Sequence, residues 1–270
     1  MGKNKLKKFA EMETFSNVFQ CGASEMSYAW MAQEGREPVD PIAGHWRERY
    51  FHNNNPIVLE LGCGRGEYTV GLAERYPEKN FIGVDIKGAR MWAGAKEAEL
   101  KGLKNAAFLR TNIEVITAFF AENEVDEIWI TFCDPQMKKA TKRLTSTYFM
   151  QRYHRIVKPG GLIHLKTDSP FLYTYTTEML RLNPYPVVAR TENLYGEQTV
   201  KEGKQSVFSD AAALQTHYEK QWLDRGMTIK YIEWQLVAMV RWEEPTIEIE
   251  KDSYRSYGRN YNSERKENHG

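Results

Sequence analysis

The sequence predicts an α/β fold, a mostly parallel sheet with helices on both faces. Three observations carry this. From Ile57 onward, short apolar runs alternate with segments of helical periodicity, the pattern of parallel strands joined by crossover helices. The first apolar run ends in a glycine-rich turn, GCGRG at 62–66. Polar residues then close successive runs, namely Glu60, Asp85, Asn112, Asp134 and Asp168, and sheets of this kind bind ligands beyond the carboxyl ends of their strands.

The elements follow in order. PIVLELG is a buried strand, and GEYTVGLAERY after the turn is a helix. NFIGVDI is a second strand, followed by a helix over 88–101. AAFLR is a third strand, with a helix over 113–121. DEIWITF is a fourth, ending at Asp134-Pro135, and a helix over 146–157 is closed by KPGG. GLIHLKTD is a fifth, with a helix over 170–182. YPVVAR reads as a sixth strand, 191–209 as a polar loop, and DAAALQTHYEKQWLDRG as one helix capped by Asp210 and stopped by Gly226. TIKYIEWQLVAMV alternates as a seventh strand, and the last two strands are expected to add to one edge as a hairpin-type pair. Residues 1–55 form an N-terminal arm and 56–242 the main domain. The polar stretch 243–270 is expected to be a disordered tail.

The chain has 270 residues, 41% of them hydrophobic, enough for one sizeable core. No apolar run reaches membrane-spanning length, and the charged start, MGKNKLKKFAEME, has no signal-peptide core behind it. The three cysteines, Cys21, Cys63 and Cys133, match neither a disulfide framework nor a zinc spacing. A cytoplasmic protein without a metal is expected. The net charge of +1 excludes a uniformly basic surface but not a local basic patch. Lys138, Lys139, Lys142 and Arg143, and the N-terminal Lys3, Lys5, Lys7 and Lys8, are candidates for such patches.

The turn residues Gly62, Gly64 and Gly66 let a ligand approach the backbone. Glu67 stands where a dinucleotide fingerprint needs a small residue, and Glu60 repels phosphate. Both argue against a nicotinamide enzyme and for a cationic ligand, such as the amino acid part of a sulfonium cofactor. Asp85 sits where such folds hold ribose hydroxyls, and Asn112 where an amide reads an adenine edge. Plainer uses stay open: Asp85, Asn112 and Asp168 each stand where a side chain caps a helix, and the lysine clusters also suit a solvated face.

Beyond the glycine turn, the segments ELGCGRG, GVDIK, FCDPQMKK, LKTDSPFLY and QTHYEKQWLDRG resemble the motifs of the tRNA (guanine-N7-)-methyltransferase family. The resemblance spans roughly residues 56–238 and implies a Rossmann-like, seven-stranded class I methyltransferase fold. It implies S-adenosyl-L-methionine as cofactor, tRNA as partner, and a monomer or homodimer. By the same resemblance, Glu60, Asp85, Asn112 and Asp134 contact the methyl donor. Lys138, Asp168, Thr216, His217, Tyr218 and Glu219 contact the tRNA. Gln136 replaces a usual Trp, Ala140-Thr141 an Arg-His pair, and Gln221 a late Arg. Methylation of guanosine N7 in the variable loop is the expected activity, with Asp134 as the catalytic residue. Two alternatives remain: a class I methyltransferase for a small molecule or protein, and a non-catalytic RNA-binding relative.

Overall fold

The computed structural model describes residues 3–20, 42–196, 208–238 and 241–254. Eight strands form one sheet in the order β1-β4-β3-β2-β5-β6-β8-β7. The strands are β1 (Val18–Gln20), β2 (Ile57–Leu61), β3 (Asn80–Asp85), β4 (Ala106–Arg110), β5 (Val125–Thr131), β6 (Val157–Thr167), β7 (Val187–Thr191) and β8 (Lys230–Gln235). The six from β1 to β6 pair in parallel. β8 runs antiparallel between β6 and β7, so the hairpin-type addition lies at the expected edge. β6 starts at Val157, so the KPGG expected to stop a helix lies inside the strand, with a register shift between Val125 and Glu127 of β5.

The helices are α1 (Lys3–Met12), α2 (Glu67–Arg75), α3 (Gly88–Leu100), α4 (Thr147–Ile156), α5 (Pro170–Leu182), α6 (Ser209–Ala213) and α7 (His217–Leu223). One sheet face packs on α1, α2 and α3 through Met12, Tyr68, Val70, Met91 and Ala95. The other packs on α4 and α5 through Phe149, Tyr153, Leu172, Tyr175 and Met179. Both faces are therefore covered, which is why the central strands β2 and β5 read as near-continuous apolar runs.

Four expectations need correction. First, the N-terminal region is not merely an arm. β1 adds an eighth strand beside β4. α1 packs on α3, with the Glu11 carboxylate 2.6 Å from Lys96 Nζ and accepting from Trp92 Nε1 at 2.8 Å. A π-helical turn at Trp46–Phe51 buries Trp46 completely, with its ring stacked on Phe120 at 5.5 Å. A three-residue strand carries too little periodicity to be read from sequence. Tyr28, Trp30 and Cys21 lie outside the described residues.

Second, 113–118 is a kinked 3-10 turn rather than an α-helix. Third, 210–226 is two helices. Thr216 Oγ1 accepts from Glu219 N at 3.1 Å and Glu219 Oε2 accepts from Thr216 N at 3.2 Å, a capping box that starts α7 afresh. Asp210 is no cap; its carboxylate accepts from Tyr76 Oη. Fourth, the tail expected to be disordered from 243 is packed through Tyr254. Glu244 accepts from Thr147 Oγ1 at 2.7 Å and from Tyr175 Oη, and Asp252 is buried. Residues 255–270 and 197–207 lie outside the described residues.

Candidate functional site

The carboxyl ends of β2, β3, β5 and β6 open on one cleft of about 530 Å³. Its lining includes Glu60, Gly62, Gly64, Asp85, Asp134, Asp168, Thr216 and Tyr218. Residues up to 162 positions apart along the chain thus share one cavity; the difference is that between Trp222 and Glu60. Gly66, Asn112, Lys138, His217 and Glu219 do not line it.

One end is built by the glycine turn. Gly62, Gly64 and Gly66 have φ of +78°, +56° and +73°, a region costly for residues with a Cβ. At Gly64 the amide donates to Asp85 Oδ2 at 2.9 Å, while Asp85 Oδ1 accepts from Lys87 N at 2.7 Å. Two backbone donors thus hold that carboxylate at the cleft wall. Gly66 serves packing instead: a Cβ there would meet Phe108 Cε1 at 2.5 Å and the Cα of Gly94 in α3 at 3.3 Å.

Glu60 is buried, its Oε2 accepting from Thr69 N at 2.9 Å and Thr69 Oγ1 at 2.6 Å, its Oε1 from Thr131 Oγ1 at 2.9 Å. Burial pushes its pKa up to about 7, against the opposing pull of these hydrogen bonds. It ties β2, α2 and β5 together at the bottom of the cleft. A cation arriving there would favour its ionised form.

Asn112 takes the plainer use: its Oδ1 accepts from Glu114 N at 3.1 Å and caps the 3-10 turn. The next residue, Ile113, lines the cleft instead.

At the other end the chain is strained. Asp134 is exposed and accepts from Gln136 N at 3.0 Å. Phe132 and Gln136, on either side of it, both have φ of +49°. Left-handed backbone at a bulky residue costs about 1–3 kcal/mol and persists only where surrounding contacts impose it. Those contacts are visible. Phe132 N donates to Lys166 O at 2.9 Å. The guanidinium of Arg143 donates to Gln136 O at 3.2 Å and Met137 O at 3.3 Å, and lies over the rings of Tyr175 (4.4 Å) and Phe171 (4.8 Å).

The basic cluster therefore divides. Arg143 is buried and holds the Asp134 loop, and Lys142 pairs with Glu114. Lys138 and Lys139 are exposed. A charge run gave no sign that one member turns inward.

Asp168 is fully buried yet lines the cleft, and Tyr254 Oη donates to its Oδ2 at 2.6 Å. It does not cap α5, because Ser169 does, accepting from Leu172 N at 2.9 Å. Thr216 is a cap and a cleft residue at once. Tyr218 and Trp222, from the same helix, also face the cleft.

His217 is exposed; its backbone N donates to Glu67 Oε2 at 3.1 Å. Glu219 works beneath the site: fully buried, it lies 2.6 Å from the buried Lys166 Nζ and accepts from Tyr195 Oη at 2.6 Å. Lys166 also donates to Tyr68 Oη at 2.8 Å and Leu214 O at 3.0 Å. Burial lowers its pKa to about 8 although Glu219 pulls the other way. Sequence reading missed Lys166, although a lysine inside the apolar run of a central strand is itself a signal, since a buried charge needs a partner.

Among the described residues, no cluster of three or more His, Cys, Asp or Glu side chains is placed to hold a metal. Nor is any helix there long and apolar enough to cross a membrane.

A family model described as a putative methyltransferase matches residues 54–232. The chain is 56% identical over 263 residues to the tRNA (guanine-N(7)-)-methyltransferase of Bacteroides fragilis (strain YCH46), covering 97% of this chain and 98% of that protein. It is 55% identical over 254 residues to the protein of that name from Porphyromonas gingivalis (strain ATCC BAA-308 / W83), covering 94% and 98%. Among solved structures, the 16S rRNA methyltransferase KamB aligns with a TM-score of 0.55 at 13% identity, over 74% of this chain and 96% of that one. That likeness concerns the class I methyltransferase fold alone. The sequence relatives are similar over nearly their whole length, and the chain belongs to the tRNA (guanine-N(7)-)-methyltransferase family.

Proposed function

We propose that this protein methylates N7 of a guanosine in the variable loop of tRNA, with S-adenosylmethionine as donor. The observation that carries the reading is one cleft shared by a glycine turn and Asp85 at one end and by Asp134 and Asp168 at the other. A tRNA partner fits a cytoplasmic enzyme, working as a monomer or homodimer.

The cofactor end suits a zwitterionic nucleoside. Around Gly62 and Gly64 an added Cβ would find no atom nearer than 3.9 Å, so those positions are open rather than packed. Glu60 and the turn hold the amino acid part, Asp85 the ribose hydroxyls, and Ile113 the face of the adenine, with Asn112 fixing Ile113 through its cap. When bound, the cofactor supplies an electrophilic methyl on a cationic sulfur.

N7 of guanine is a lone pair without a proton, so no general base is needed to create the nucleophile. The work left for the protein is positioning and stabilising a purine that becomes cationic. Asp134 is exposed at the cleft, with the chain just after it held by Arg143 at Gln136 and Met137, and it performs the second task. Asp168 accepts from the base edge, and the exposed Lys138 meets phosphate. Thr216 and Tyr218 shape the substrate wall, while Glu219 fixes the helix that bears them. Incubating tRNA with the protein and S-adenosylmethionine, then digesting to nucleosides for mass spectrometry, tests the reading. 7-Methylguanosine is expected, and its absence together with methylation of a metabolite extract would overturn it.

A further inference from the structure

The segment after β8 leaves the sheet and comes back to the cleft. It is held at two places before it arrives. Glu244 binds Thr147 and Tyr175 at the first. At the second, the buried Asp252 accepts from Ser169 Oγ at 2.5 Å and from Phe171 N at 3.1 Å, both at the start of α5. Its own backbone N lies 3.2 Å from Met137 Sδ, on the Asp134 loop. Two residues later, Tyr254 is delivered to Asp168, and its ring meets Trp222 edge-on at 5.3 Å and 77°. Both Asp168 and Trp222 line the cleft.

We propose that Tyr254 is a positioning residue of the substrate site. Its hydroxyl fixes the rotamer of Asp168, and its ring backs Trp222, so that carboxylate and indole present one preset surface to the purine. A carboxylate that must accept from two donors on a flat base edge has to lie in the plane of that edge. Any rotation left to its side chain would cost binding energy each time a base enters. A phenol donating to one oxygen removes that freedom in advance. The buried anchor at Asp252 separates this arrangement from a loose tail that happens to fall into the cleft. The proposal rests on the reading of Asp168 as a residue facing the substrate.

The test uses the full-length protein with Tyr254→Phe, Asp168→Asn and the double variant. Three constants are measured: tRNA affinity by filter binding without cofactor, kcat/KM for tRNA, and S-adenosylmethionine affinity by calorimetry. Tyr254→Phe keeps the ring and removes only the hydroxyl. It is expected to lower tRNA affinity and kcat/KM about tenfold, the scale of a hydrogen bond to a charged group, with cofactor affinity and melting temperature unchanged. In the Asp168→Asn background the same change should have little further effect, because the proposed role of the hydroxyl runs through that carboxylate. Asp252→Asn, which loosens the anchor, should weaken tRNA binding in the same direction. If Asp168→Asn weakens tRNA binding but Tyr254→Phe does not, the inference fails and the reading of Asp168 stands. If Asp168→Asn is itself without effect on tRNA, both fail. A rise in activity with Tyr254→Phe would make the tyrosine an occupant that substrate must displace, and would also overturn the proposal, as would additive losses in the double variant.

Discussion

The two ends of the cleft are made differently. The cofactor end is mostly local backbone: the open Gly62 and Gly64 and two amides that fix Asp85, within 62–87, with Glu60 just before them and Ile113 added from further on. The substrate end is side chains brought from afar: Asp134, Asp168, Thr216, Tyr218, Trp222 and Tyr254. It carries strained φ angles at Phe132 and Gln136 and is held by a buried arginine and a buried ion pair. A nucleoside cofactor can be held by local geometry, whereas a base at the edge of a macromolecule needs walls from several elements. The comparison predicts that damage at one end should leave the other working.

The largest effect is expected beneath the substrate end. Lys166→Met leaves the Glu219 carboxylate buried without its cation and should destabilise the fold by about 3–5 kcal/mol. Denaturant unfolding measures it, and a change under about 1 kcal/mol would mean that the pair is not what holds α7. Next comes Asp134→Asn, expected to lower kcat about 10²-fold or more, as when one preorganised electrostatic contact is lost. Donor affinity should barely move. A comparable loss of donor binding would erase the distinction between the two ends.

Asp85→Ala is the counterpart at the cofactor end. Donor affinity should weaken by about 1–3 kcal/mol, while tRNA binding measured without donor should be unchanged.

A pH dependence sharpens the contrast further. Glu60, with a pKa of about 7 in the folded protein, binds its proton more tightly than in the unfolded chain. Its contribution to stability is therefore fully present below its ordinary carboxylate pKa and is lost as pH rises through about 7. The ionised form is the one that attracts a cationic donor. Donor affinity, measured by calorimetry, should thus rise up to about tenfold between pH 6 and pH 8, and Glu60→Gln should flatten the curve. Maximal kcat should lack a limb near pH 7, since no base acts on N7.

The smallest effect is expected at the rim. Lys138→Ala should reduce the salt dependence of tRNA binding by about one phosphate contact, whereas Lys142→Ala, whose ammonium already pairs with Glu114, should leave it as it is.

The same contrast explains how much was legible in the sequence. Strands β2 to β5, the second half of β6, the glycine turn and the place of Asp85 at the end of β3 follow from periodicity and from residues near one another in the chain, and the structure places these elements as read. Where reading failed, a side chain had a partner far away. Arg143 looked like one more surface cation because Phe171 and Tyr175 are remote in sequence. Residues 243–254 looked unstructured because their composition is polar, yet the half-buried Glu244 and the buried Asp252 set their carboxylates against helix starts. The break between α6 and α7 was there to be read. Thr216 with Glu219 three residues on is a capping-box signature, hidden inside a run of good helix formers.

The buried pair of Lys166 and Glu219 has a consequence for how such a chain changes over generations. Neither residue can be replaced alone without stranding a charge in the core, and an apolar pair would also forfeit the bonds of Glu219 to Thr216 N and of Lys166 to Leu214 O. Every single-step route away from the pair crosses a poorly folding intermediate. Mutational drift should therefore treat positions 166 and 219, one on β6 and one on α7, as a single inherited character: kept together, or exchanged together in a lineage whose fold has stability to spare.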